Sequence, residues 1–194
     1  MRYPLDIITP PSVYWNSFLL LYKDLEETFR FVTPTKEHFS VYSFRYYDLL
    51  LRAATEFESI CKDKLVELKL SNKGSDAFNI IDYHLLNAHF QQKPSGIRVG
   101  FLFSDPLFVH PLENWSTTHS LPWYQQYNEV KHNRANLFKN ANLSNVLDAI
   151  GALFIMIERS ALCPKGKLAV MQSSDAVLMR NHPEWPVIIQ KLYK

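Results

Sequence analysis

Residues 143 to 161, LSNVLDAIGALFIMIERSA, restrict the fold more than any other stretch of this 194-residue chain. Leu143, Val146, Leu147, Ile150, Leu153, Phe154 and Ile157 recur at helical steps. Within them the run AIGALFIMI (149–157) lies between Asp148 and Glu158. A bilayer requires roughly 20 apolar residues, so this run predicts a buried core helix and no membrane span. Other helices must surround it.

Four more stretches supply them. Val13, Trp15, Phe18, Leu19, Tyr22, Leu25 and Phe29 mark a first helix over 12–31, which Pro34 terminates. Thr35 is a suitable N-cap for a second helix over 35–70, with Phe39, Tyr42, Tyr46, Leu49, Leu50, Ala53, Phe57 and Ile60 as its stripe. SNKGS follows, where Gly74 suits a left-handed cap. A third helix covers 75–91, starting at Ser75 or Asp76, and a fourth covers 122–136, opening at Pro122. Between them, residues 94–120 carry prolines and the β-type run IRVGFLF, which reads equally as a crossing loop or a short hairpin. The tail, HPEWPVIIQKLYK, reads as a short apolar piece docked on the bundle. The sequence thus predicts a mainly α protein: one domain over 1–194, about five helices, and an irregular insertion with short β character at 94–120.

Composition mostly excludes. Hydrophobic residues at 47% and charged residues at 21% predict a globular chain. A net charge of +2 means that nucleic acid would have to bind through a local patch. Cys61 and Cys163 are isolated, so neither a zinc ribbon nor a disulfide framework is implied. The N-terminal apolar patch at 18–21 is too short for a secretory leader, and the chain reads as soluble and cytosolic. No phosphate-binding glycine loop, metalloprotease helix or nucleophile elbow occurs. His84 and His89 are five apart and face different ways on a helix. Glu56 and Glu58 are two apart and form no paired-carboxylate site.

One stretch carries candidate chemistry: WYQQYNEVKHNR, residues 123–134. As a helix it places Asn128 and His132 on one face, with Tyr127, Lys131 and Arg134 on the neighbouring one. A neutral His132 can take a proton from a 2′-hydroxyl while Lys131 and Arg134 hold phosphate. Trp123, Tyr124 and Tyr127 can stack bases if they are exposed. The plainer reading sends Trp123, Tyr127 and Val130 into the core and leaves Lys131, His132 and Arg134 in water.

A helical bundle with Asn-x-x-x-His on a late helix, then a loop and a strongly apolar last helix, resembles the HEPN superfamily. The match is YNEVKH, in frame at Asn128 and His132, over roughly residues 36–162; Tyr127 stands where the family carries arginine. The resemblance implies a compact helical bundle, a homodimer pairing two motifs, and a metal-independent endoribonuclease in bacterial defence or a toxin–antitoxin system. It implies His132 and Asn128 as catalytic residues, with Lys131, Arg134 and Tyr127 contacting RNA and no cofactor. The family's second helix often directs an acidic residue at the motif, a role that is not carried over to Glu56 or Glu58 here. The alternative is a non-catalytic interaction module with a protein partner, which the Tyr127 replacement favours. A third reading puts a site under the insertion, on Asp105, His110, Glu113 and His119.

Overall fold

The computed structural model describes residues 12–90, 93–101 and 106–162, and the backbone of 187–191. The chain is mainly helical, with a small antiparallel sheet. Its helices are α1 (Val13–Thr28), α2 (Phe44–Glu67), α3 (Ile80–His89), α4 (Pro122–His132), α5 (Arg134–Leu137) and α6 (Leu143–Arg159), and all but the short α5 contribute buried residues to the core. Strands β1 (Ile97–Phe101), β2 (Leu107–Val109) and β3 (Val187–Lys191) form the sheet.

α6 is the central element. Twelve of its residues, from Leu143 to Ile157, are buried. It packs against α1, α2, α4 and the sheet. At Gly151 an added Cβ would lie 3.3 Å from Pro111 Cγ and from Val109 Cγ2, so the missing side chain is what lets the strands lie close to the helix. No helix among the described residues is long and apolar enough to cross a membrane.

The expected start of the second helix is corrected. Lys36–His38 is a single 3₁₀ turn, and α2 begins eight residues later than expected, where Ser43 accepts a hydrogen bond from the Tyr46 amide. The cause lies across the molecule. The first amides of a helix have no partner within it. Here the Phe39 and Val41 carbonyls accept from Ser144 and Leu143 at the start of α6, so the turn at residues 39–40 leads into a bridge between Tyr42 and Asn142 rather than into helix. Ser43→Ala is therefore expected to destabilise the protein by about 1 kcal/mol in denaturant unfolding. No change in midpoint would remove the cap from the account.

Other boundaries shift for local reasons. In α1, Leu21 rather than Leu19 joins Trp15, Phe18, Tyr22 and Leu25 inside, while Val13 faces solvent. After α2 the left-handed residue is Lys69 (φ 52°) and not Gly74, which is extended. The Leu70 amide closes on the Leu65 carbonyl there. α3 starts at a capping box of Asn79 and Asp82, with 75–77 as a separate 3₁₀ turn. α4 stops at Asn133, so the helix expected over 122–136 is broken in two.

The insertion contains a strand pair. β1 and β2 are antiparallel, with Val99 opposite Val109 and Phe101 opposite Leu107; these four side chains point inward. The tail contributes β3 to the other edge of β1, giving the order β2-β1-β3. It docks by backbone pairing.

Candidate functional site

α4 is positioned by its aromatic stripe. Trp123, Tyr124, Tyr127 and Val130 are all buried. Trp123 donates through Nε1 to the Pro111 carbonyl at 2.8 Å and meets Phe57 of α2 edge-on, centroids 5.4 Å apart. Tyr124 donates to Glu58 Oε1 at 2.7 Å. Burial, and then the hydrogen bond and charge of Glu58, push the Tyr124 phenol far above its ordinary range. These rings offer no face to a base, so the stacking role proposed for Trp123, Tyr124 and Tyr127 does not hold in this fold.

The polar residues take the solvent side. Lys131, His132 and Arg134 are exposed and Asn128 is half-buried. α4 remains helical through His132, so Asn128 and His132 share a face as expected. Arg134 does not lie on the face of Tyr127 and Lys131, because the backbone turns at Asn133 (φ −136°, ψ 51°) and Arg134 opens α5. Its guanidinium sits over the Tyr47 ring, 5.3 Å from the centroid.

At the position where the family arginine would stand, Tyr127 is a core residue with its hydroxyl bound to Lys131 Nζ at 2.9 Å. That hydrogen bond is the main cause raising the Lys131 ammonium above its ordinary value, with the negative charge of Glu58 a smaller one. Lys131 is thus held as a cation beside the helix rather than left to swing freely. Of Glu56 and Glu58 on α2, Glu58 reaches α4. Glu56 lines a cleft of about 360 Å³ between α1 and α2 with Ser17 and Arg52.

The charge around this end of the molecule is one-sided. Between Glu129 and Asp148 the sequence holds Lys131, His132, Arg134, Lys139 and no carboxylate. Glu129 itself accepts from Asn140 Nδ2 at 2.9 Å. Among the described residues, Lys131, Arg134 and Lys139 are in none of the ion pairs, which are concentrated where Arg45 and Arg52 meet Asp24 and Asp48.

The remaining candidates are not brought together. His119 bonds locally to Ser116 and Thr118, His110 is half-buried and Glu113 exposed, while Asp105 falls outside the described residues. His84 packs its ring against Trp115, and burial lowers its titration. No group of three metal-ligating side chains occurs among the described residues. A second cleft, of about 380 Å³, is lined by Glu27, Thr28, Phe31, Val32, Ser43, Arg45 and Tyr46, with nothing from α4 or α5.

The class defined by this geometry is a mainly α protein with a small antiparallel sheet and a group of exposed basic side chains, Lys131, Arg134 and Lys139, around the end of α4. The chain matches no family model, no curated protein and no solved structure.

Proposed function

We propose that this protein binds RNA through the α4–α5 surface, as a divergent HEPN-like protein. The observation that carries the reading is the surface itself: three cations and a histidine, within a stretch that has no acidic residue from 130 to 147. Phosphates supply the matching charge.

In the catalytic form of the proposal no metal is needed. Neutral His132 removes the 2′-hydroxyl proton, the 2′-oxygen bonds to phosphorus, and the P–O5′ bond breaks. A cyclic 2′,3′-phosphate and a 5′-hydroxyl result, the leaving oxygen taking its proton from the second His132 imidazolium of a homodimer. Asn128, one turn before His132, orients an oxygen, and Lys131 and Arg134 hold the phosphate. A bacterial defence or toxin–antitoxin setting belongs to the same proposal. The second reading, an interaction module without chemistry, is favoured by the burial of Tyr127: a neutral core phenol cannot take over the task of an arginine on the scissile phosphate.

One experiment separates the two. Structured and single-stranded RNA is incubated in EDTA with wild type, His132→Ala, and Lys131→Ala/Arg134→Ala, following both binding and cleavage. Binding by wild type is expected, with the salt slope in log–log form reduced by roughly 1.4 in the double variant. Cyclic-phosphate products from wild type but not from His132→Ala establish the nuclease. Binding without cleavage leaves the module. Absence of both, from folded protein, removes RNA from the account.

A further inference from the structure

The rings buried under α4 leave the proposed RNA surface without a stacking face, and a different set of aromatics lies beside it. Phe138, in the 3₁₀ turn after α5, gathers three rings from the start of α2. Phe44 lies 4.6 Å from it between centroids, Tyr42 meets it edge-on at 5.8 Å, and Tyr47 lies at 6.1 Å. Tyr47 in turn carries the Arg134 guanidinium. Two of these rings are open to solvent: Phe44 is 73% exposed and Tyr42 53%. Lys139 follows Phe138 directly and is exposed.

Large exposed rings clustered on a surface mark a binding site more than chance exposure. Their neighbours decide what binds. Arg134, over the Tyr47 ring, and exposed Lys139, next to Phe138, lie at the cluster, so aromatic and cationic groups stand side by side, while the nearby Glu129 carboxylate is engaged by Asn140. An apolar helix of a protein partner would leave those cations without counter-charges. An unpaired nucleic-acid strand satisfies both features, with bases on the rings and phosphates on the cations. A duplex does not, because its bases are already stacked and only its backbone is accessible to such a face.

We infer that Tyr42 and Phe44, backed by Phe138, form a stacking platform for bases of a single RNA strand whose phosphates lie along Arg134 and Lys139. The inference rests on the proposed RNA binding and specifies its substrate as unpaired RNA. The strand enters the site over the start of α2 rather than over the aromatic stripe of α4.

The test uses fluorescence anisotropy with a labelled oligoadenylate of about 12 nucleotides, within the span such sites cover, and the same strand annealed to its complement. Wild type is expected to prefer the single strand. Tyr42→Ala/Phe44→Ala is expected to weaken that binding about tenfold or more with an unchanged salt slope, since stacking is lost and phosphate contacts remain. Tyr42→Phe/Phe44→Tyr, which keeps both ring faces, is expected to bind like wild type. Equal affinity of wild type and the alanine pair, with Lys131→Ala/Arg134→Ala still weakened, overturns the platform and leaves RNA binding standing. A preference for the duplex overturns it in the same way. If light scattering shows that the alanine pair loses self-association while RNA affinity holds, the patch belongs to a second copy of the chain. Failure of wild type to bind either probe removes both readings at once.

Discussion

Phe57→Ala is expected to destabilise this protein by about 3–5 kcal/mol, the range for emptying a fully buried phenylalanine site. Phe57 has no exposed surface, and it sits where four parts of the chain converge. Its ring contacts Tyr83 of α3 at 6.5 Å, Trp115 of the insertion at 6.0 Å and Trp123 of α4 at 5.4 Å. The two tryptophans are fixed elsewhere by their own hydrogen bonds, Trp115 to the Ile80 carbonyl and Trp123 to the Pro111 carbonyl. They cannot both swing inward to fill the space, so the cavity stays open and the upper part of the range applies. Thermal unfolding should fall by roughly 10–15 °C, at about 2–4 °C per kcal/mol for a chain of this size. A fall of less than about 3 °C would mean that the rings relax around the deletion. Phe44→Ala, at the exposed edge of the other aromatic cluster, is the matched control, with an expected cost within about 1 kcal/mol.

Asp148→Asn should stabilise the protein at pH 8 and leave it nearly unchanged at pH 4. Asp148 is half-buried in the central helix, between the core residues Leu147 and Ala149. Desolvation pushes its carboxyl from the ordinary 3.8 up to about 7. Between those values the folded protein keeps a proton that the unfolded chain has released, so stability falls as pH rises from about 4 to about 7. Above about 7 the group is ionised in both states and the penalty is complete. Taken whole, such a shift is worth roughly 4 kcal/mol. Water reaches a half-buried residue, which reduces the expected penalty to about 2 kcal/mol. The asparagine never ionises, so its melting temperature should exceed that of wild type by roughly 4–8 °C at pH 8. An equal offset at both pH values would show that a titrating carboxyl is not the cause.

Asp148 belongs to α6, and this helix is also where the sequence reading served best. The apolar run at 149–157 was recognisable as a helix that others must enclose, because the signal lies in consecutive residues. For the α4 stripe the spacing left two readings open, rings in the core or rings stacking bases, and the fold buries Trp123, Tyr127 and Val130 and leaves Lys131, His132 and Arg134 exposed. The β character of 97–101 was also visible, although its second partner, β3, comes from nearly a hundred residues further on.

The start of α2 was misplaced because Thr35 and Ser43 are equally good caps on local grounds. The choice follows the start of α6, whose first amides bond the Phe39 and Val41 carbonyls and draw Tyr42 into a bridge with Asn142, so the helix restarts only at Ser43. The aromatic cluster was invisible for the same kind of reason. Tyr42 read as part of the apolar stripe of the second helix, whereas it lies before α2 and is half exposed; Phe44 fell within that expected helix, Phe138 beyond the fourth, and no periodicity links positions so far apart. Glu56 and Glu58 were indistinguishable as partners for the motif until the rotation of α2 gave Glu58 to Tyr124.

What the amino-acid order determined by itself was the set of helices, the face each must bury, and the one-sided charge of residues 130–147. Those follow from propensity and from the cost of leaving apolar surface in water, which neighbouring residues express together. What only the tertiary structure decided was which rings meet, where α2 starts, and that the exposed aromatics beside the cations are Tyr42 and Phe44 rather than Trp123 and Tyr127. Those depend on contacts between residues distant in sequence, whose energies arise only once the helices have packed.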